Sequence, residues 1–147
     1  MENYKHILLA VDFFEQGDVV ANKAKALATQ NQAKLSIVHV VDSLPVVDSS
    51  YGAEMTFNMD LTAELMAQAR ESMKEIAEKL KVPSDRAWLE MGSSSTEIVR
   101  VAEENEVDLI VIGSHGRHGL ALLLGSTASG VLHHAKCDVL AIRLRDQ

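Results

Sequence analysis

Five short apolar runs, His6–Val11, Leu35–Val41, Arg86–Met91, Leu109–Ile112 and Val139–Leu144, alternate along this chain with longer stretches of helical pattern. Three of them, HILLAV, LSIVHVV and LIVI, are near-continuous and rich in β-branched residues. Strands of that kind need cover on both faces, which a parallel sheet flanked by helices provides. Four helices are predicted between them, at Asp18–Gln30, Asp60–Leu80, Thr96–Glu104 and Ser126–His134. The first carries Val20, Ala21, Ala24, Leu27 and Ala28 at helical spacing. The second sets Leu65, Ala69, Met73, Ile76 and Leu80 on one stripe. Met59, Met66 and Met73 fall seven apart and read as core filler. Lys81, Val82 and Pro83 end the second helix. Ser93–Ser95 offers caps for the third, and Ser126 or Thr127 for the fourth. This alternation predicts an α/β fold with a doubly wound, five-stranded parallel sheet and right-handed crossovers. A ligand crevice is then expected at the carboxyl ends of the strands, where the strand order reverses.

The chain has 147 residues, the length of one domain. Hydrophobic residues are 47% of it but aromatics only 4%, so the core has to be aliphatic. A formal net charge of −7 argues against a general nucleic-acid binder and against docking on anionic membranes. The opening MENYKHILLAVD lacks the apolar length of a signal peptide, and no run reaches the ~18 apolar residues of a membrane span. A single-domain, soluble, cytoplasmic protein is expected. Cys137, the one cysteine, reads as a small, partly buried residue before the last strand rather than a reactive thiol. The connection from Asp42 to Met59 contains Pro45, Ser49, Ser50, Gly52 and Asn58 without clear periodicity. It reads as a long loop, either a lid or partner contact or plain disorder.

Two places bring polar groups to the end of a buried strand. Asp12 follows ILLAV. A carboxylate there can accept from ribose hydroxyls or hold a metal through water, and it can equally cap the following turn. The other is DLIVIGSHGRHGLALLLGST, Asp108–Thr127, a strand that runs through glycines into a helix start. Gly116 and Gly125 can offer backbone N–H groups to phosphate, and Ser126 and Thr127 can add hydroxyls. The helix start adds partial positive charge, and Arg117 is the one fixed cation of the loop. The loop lacks the lysine of a Walker A sequence and does not follow the first strand as a dinucleotide fingerprint would. From the residues alone, a phosphate cradle and an ordinary helix-entry turn both fit. Four histidines, His115, His118, His133 and His134, crowd the last third. Neighbours on a helix point apart, so His133 and His134 read as structural or solvated residues rather than a metal pair.

KHILLAVD, LSIVHVVD, DLIVIGSHGR and LLLGSTASGVLHHAKCDVLAIR together resemble the universal stress protein A family over nearly the entire chain. The resemblance implies a Rossmann-like three-layer α/β/α sandwich with strand order 3-2-1-4-5. It also implies a homodimer in which the last strand, Val139–Leu144, pairs with its mate. It further implies the nucleotide-binding subgroup, whose motif G-x2-G-x9-G-[ST] is matched in order by Gly113, Gly116, Gly125 and Ser126. Eight residues separate the second and third glycines here in place of nine, a change that Gly119 can absorb. Phe13-Phe14 stands where the family often has a small hydroxyl residue.

By that pattern Gly113 sits near the ribose, and Asp12 meets the ribose or a metal. Gly116, Arg117, Gly125, Ser126 and Thr127 surround the phosphates, with Ser114, His115, His118 and Gly119 completing the loop. Ala10 and Val40 contact the adenine, Val40 largely through its backbone. ATP or another adenine nucleotide is the implied ligand, with magnesium held through the phosphates and Asp12. The implied role is a stress-response regulatory module with an unidentified protein client. Two alternatives stand beside it: a weak ATPase or phosphotransferase, and a nucleotide-free dimeric interaction protein.

Overall fold

The computed structural model describes residues 3–12, 17–42, 52–114 and 125–143, with the backbone alone described between 52 and 60. The elements run β1 (His6–Ala10), α1 (Gly17–Asn31), β2 (Lys34–Val41), α2 (Gly52–Leu80), β3 (Ala87–Met91), α3 (Ser94–Glu104), β4 (Leu109–Gly113), α4 (Ser126–His134) and β5 (Asp138–Ile142). The strands form one sheet in the order β3-β2-β1-β4-β5. Every neighbouring pair is parallel.

β1 lies at the middle of that order, and all five of its residues are buried. Alternation splits its side chains between two cores. Ile7, Leu9 and Val11 pack with Val20, Ala21, Ala24 and Ala28 of α1 and with Met73, Ala77 and Leu80 of α2. Leu8 and Ala10 pack on the opposite face with Ile98, Val101 and Ala102 of α3 and with Ala128 and Val131 of α4. The predicted three layers are therefore present, and the core is aliphatic as the composition demands.

The lower, amino-terminal end of the sheet is tied by side chains. The Asp108 carboxylate accepts the backbone N–H of Lys5 at 2.8 Å and of His6 at 2.9 Å. The His6 ring lies 3.0 Å from the Asn105 carbonyl through Nδ1 and 2.7 Å from the Ser36 hydroxyl through Nε2. A carbonyl only accepts, so Nδ1 carries the proton and Nε2 takes the hydroxyl hydrogen. Burial pushes the pKa of His6 down; the bond to Asn105 acts in the other direction.

Three helices stop at left-handed residues that are not glycine: Gln32, Lys81 and Glu106, with φ of 54°, 60° and 56°. Each stop returns two amides to the last turn of its helix. The N–H groups of Ala33, Val82 and Val107 reach the carbonyls of Ala28, Ala77 and Ala102 at 2.8, 2.8 and 3.0 Å. Those are the outer bonds of Schellman caps, and each turns the chain directly toward its next segment.

Several boundaries differ from those expected. α2 begins at Gly52 and not at Asp60, so the later part of the supposed Asp42–Met59 loop is helix. The sequence there shows no apolar stripe, but Ala53, Glu54 and Met55 are good helix formers, and extending an existing helix gains a hydrogen bond per residue. Arg86 belongs to a single 3-10 turn, Ser84–Arg86, which delays β3 to Ala87. α3 starts at Ser94, two residues before Thr96, and its N-cap Ser93 makes no side-chain capping bond. α4 is capped by Gly125, again without a side-chain bond, so Ser126 and Thr127 lie inside the helix and do not cap it. β5 spans Asp138–Ile142, and Leu144 lies outside the described residues.

Burial in the folded state holds the pKa of His6 below its ordinary value of 6.5. Its stabilising contribution is therefore complete above that value and lost as pH falls through the lower folded value. His6→Gln is expected to lower the urea midpoint at neutral pH. It should also flatten the loss of stability between about pH 7.5 and about pH 5. Equilibrium urea unfolding at the two pH values checks this; an unchanged slope would place the pH dependence elsewhere.

Candidate functional site

The strand order reverses at β1: the chain passes from β1 to β2 on one side, while β4 lies on the other. The crevice between the carboxyl ends of β1 and β4 is where such a fold can take a ligand. Ala10 and Val40 are 7% and 8% exposed and share one core with Ile112 and Ala128. They form an apolar floor on the face that α3 and α4 cover. Asp12 follows β1 and is exposed. Gly17 opens α1 against it, so closely that a β-carbon at Gly17 would overlap the Asp12 carbonyl oxygen.

The main chain before Asp12 is held from β2. The Val11 N–H donates to the Val38 carbonyl at 2.8 Å, and the His39 Nδ1–H donates to the Val11 carbonyl at 2.8 Å. Burial pushes the pKa of His39 down, against the opposing pull of the Val11 bond and of the Asp42 charge. A carbonyl only accepts, so this geometry places a proton on Nδ1. Beyond β2, Asp42 Oδ1 accepts the Ser94 hydroxyl at 2.8 Å and so ties the end of β2 to the start of α3. Gly92 turns β3 into α3 at φ +141°, a conformation that side chains rarely tolerate.

β4 leads into the α4 side of the crevice. The Ser114 N–H donates to the Ile142 carbonyl at 2.8 Å, and the Gly125 N–H donates to the Ser114 carbonyl at 2.7 Å. The Gly125 amide, expected to reach phosphate, is therefore committed to Ser114, because it closes the segment between β4 and α4. The amides of Ser126, Thr127 and Ala128 come next. They have no acceptor inside their own helix and carry its positive end. α4 is seated by a close approach: a β-carbon on Gly130 would stand 2.6 Å from both Cβ and Oγ of Ser95 in α3.

Of the predicted set, Ala10, Asp12, Val40, Gly113, Ser114, Gly125, Ser126 and Thr127 fall at this end of the sheet. His115, Gly116, Arg117, His118 and Gly119 lie outside the described residues, as do Phe13 and Phe14. No group of three His, Cys, Asp or Glu side chains among the described residues is placed to hold a metal ion. The rings of His133 and His134, at the far end of α4, stand 6.2 Å apart and tilted by 48°. Cys137 is half-buried, and burial followed by the nearby Asp138 and Asp108 charges raises its pKa, which favours the inert thiol.

The sequence model of the Universal stress protein family matches residues 3–143. The chain belongs to the universal stress protein family. It is 41% identical over 146 residues to Universal stress protein A homolog 2 of Coxiella burnetii, covering 99% of each chain. The universal stress protein UspA from Lactobacillus plantarum superposes with a TM-score of 0.82 at 27% identity, over 96% of this chain and 99% of that one. A universal stress protein solved in complex with cAMP shares the fold at a TM-score of 0.63 and 22% identity, over 95% and 97% of the two chains.

Within this universal stress protein fold, three residues with structural work at the crevice were not singled out from the sequence. Gly17 had a signal: a glycine at a predicted helix start, five residues after Asp12. Gly130 had a weaker one, a glycine inside a helical pattern, where the usual penalty implies a packing reason. His39 lay hidden in the apolar run LSIVHVV, and its partner is 28 residues away in sequence.

Gly130→Ala is expected to destabilise the protein by about 1–3 kcal/mol through overpacking, although alanine is the better helix former. Adding Ser95→Gly, which removes both opposing atoms, should restore most of the loss. Urea midpoints of the single and double variants check the coupling, and an additive pair would show that the two helices do not meet there.

Proposed function

We propose that this universal stress protein binds an adenine nucleotide, ATP with magnesium, in the crevice between β1 and β4, and acts in the cytoplasm as a dimeric stress-response regulator. The observation that carries this reading is the start of α4. The helix opens without a side-chain cap, beside the carboxyl end of β4 and over the floor of Ala10 and Val40. Its first amides and the hydroxyls of Ser126 and Thr127 suit phosphate oxygens. Gly113 lets a ribose approach the end of β4, Asp12 accepts from its hydroxyls, and the base lies against Ala10 and the Val40 backbone. Gly116 and Arg117 complete the phosphate side, with Ser114, His115, His118 and Gly119 in the connecting segment. Gly125 contributes the position of the helix start while its amide closes the turn.

The energetics are adequate. Charge-assisted hydrogen bonds net about 1.5–3 kcal/mol each, so three or four of them approach the ~8 kcal/mol of a micromolar complex. Magnesium, when bound through the phosphates, neutralises part of their charge, and Asp12 is the carboxylate that can face it. That a protein of this fold is solved with cAMP supports an adenine nucleotide as the ligand class. β5 is an edge strand whose Leu140 is 37% exposed, which supports pairing of Val139–Leu144 with a second copy. Among the described residues, no helix is long and apolar enough to cross a membrane.

Equilibrium titration with labelled ATP and magnesium is expected to show saturable, micromolar binding; absence of saturation at millimolar nucleotide would overturn the reading. Gly125 has φ −64° and ψ 156°, values valine also adopts. Gly125→Val should therefore fold normally yet bind ATP at least about tenfold more weakly, a change of ~1.4 kcal/mol. Circular dichroism and the same titration separate the two effects.

A further inference from the structure

The ladder between β1 and β2 has its last register pair at Ala10 and Val38. One residue later the strands are still coupled, through the last ladder amide and then through a side chain. The Val11 N–H reaches the Val38 carbonyl, and the Val11 carbonyl is met by the imidazole of His39 at 2.8 Å. The peptide joining Val11 to Asp12 is planar, so a bond to its carbonyl restrains the tilt of the whole group and with it the placement of the Asp12 α-carbon. His39 alternates along β2 with Val38 and Val40, which face the α3 and α4 core. It therefore approaches Val11 from the opposite side of the sheet, behind the crevice.

A polar ring in this place needs a reason. Its neighbours on the same face of β2, Leu35 and Ile37, are aliphatic and buried. An aliphatic side chain at position 39 would avoid the cost of burying an imidazole. What the imidazole adds is a donor aimed at the last fixed carbonyl before Asp12. Gly17 reinforces the same point from the other direction, against the Asp12 carbonyl.

We propose that His39 is a positioning residue for the nucleotide crevice: its Nδ1–H fixes the Val11–Asp12 peptide so that the Asp12 carboxylate meets the ribose hydroxyls. This rests on the nucleotide reading above. His39 acts through Asp12, and what the contact requires is a proton on Nδ1. Its effect on affinity is therefore confined to proteins that retain the Asp12 carboxylate.

The test is a double-mutant cycle read by calorimetric titration with ATP and magnesium, and with 3′-deoxy-ATP. His39→Leu is expected to weaken ATP about tenfold and to erase most of the preference over the deoxy analogue. His39→Asn, whose amide nitrogen falls near the place of Nδ1, should stay within about threefold of the parent chain. In an Asp12→Ala background, His39→Leu should change affinity by less than about twofold, because the two act as one unit. Equal losses in both backgrounds, or unchanged affinity in His39→Leu alone, would overturn the assignment while leaving the nucleotide site standing. Failure of the parent chain to bind ATP would overturn both. Should His39→Leu not fold, His39→Gln, with its donor one carbon further out, takes its place with the same expected loss.

Discussion

A strand with water on neither face has to satisfy every backbone group inside the protein. β1 is in that position: Ile7, Leu8 and Leu9 are at most 1% exposed, and β2 and β4 flank it on both edges. Within the ladder its amides and carbonyls pair with their neighbours. At the two ends the ladder stops, and side chains take over. Below, the Asp108 carboxylate gathers the N–H groups of Lys5 and His6. Above, the His39 imidazole takes the carbonyl of Val11. The rule that buried polar groups find partners thus accounts for the polar residues that interrupt otherwise aliphatic runs. It also gives the upper end of β1 a fixed geometry beside the crevice.

The two faces of the sheet divide the labour. On the α1 and α2 face, small residues such as Ala21, Ala24 and Ala28 bring a helix close to the central strands. The α3 and α4 face combines an apolar floor with helix starts that no side chain caps. Uncapped starts leave donors and partial positive charge at the carboxyl ends of the strands. In a chain of net charge −7 that concentration of positive potential is local, a matter of backbone placement more than of basic side chains. The contact between Gly130 and Ser95 sets where α4 begins, and hence where its amides stand.

The strands were readable because HILLAV, LSIVHVV and LIVI admit few environments and alternate with helical patterns; their order, 3-2-1-4-5, came from the resemblance to the universal stress protein A family. Asp12 drew attention because ligands gather at strand ends, and the ribose role expected of Gly113 came from the family resemblance. What escaped was of another kind. The start of α2 at Gly52 lacked the apolar stripe that marks a packed helix. The caps at Gln32, Lys81 and Glu106 lacked the glycine that usually announces them. Serines stood where capping residues are expected, yet Ser94 turned to Asp42 and the fourth helix was capped by Gly125. The role of His39 depends on a partner that only the folded sheet brings near. Local chemistry is written in local sequence, and contacts between distant segments are not.

The bond from the Gly125 amide to the Ser114 carbonyl has a bearing on how such chains can diverge. It acts as a clasp at the base of the segment joining β4 to α4, so both anchor points stay put whatever the contour length between them. Closing a slightly longer or shorter span alters the entropy only as a logarithm of residue number. Insertions and deletions there can accumulate without re-aiming the helix, so the length of the segment is free to drift among related proteins while the scaffold stays constant.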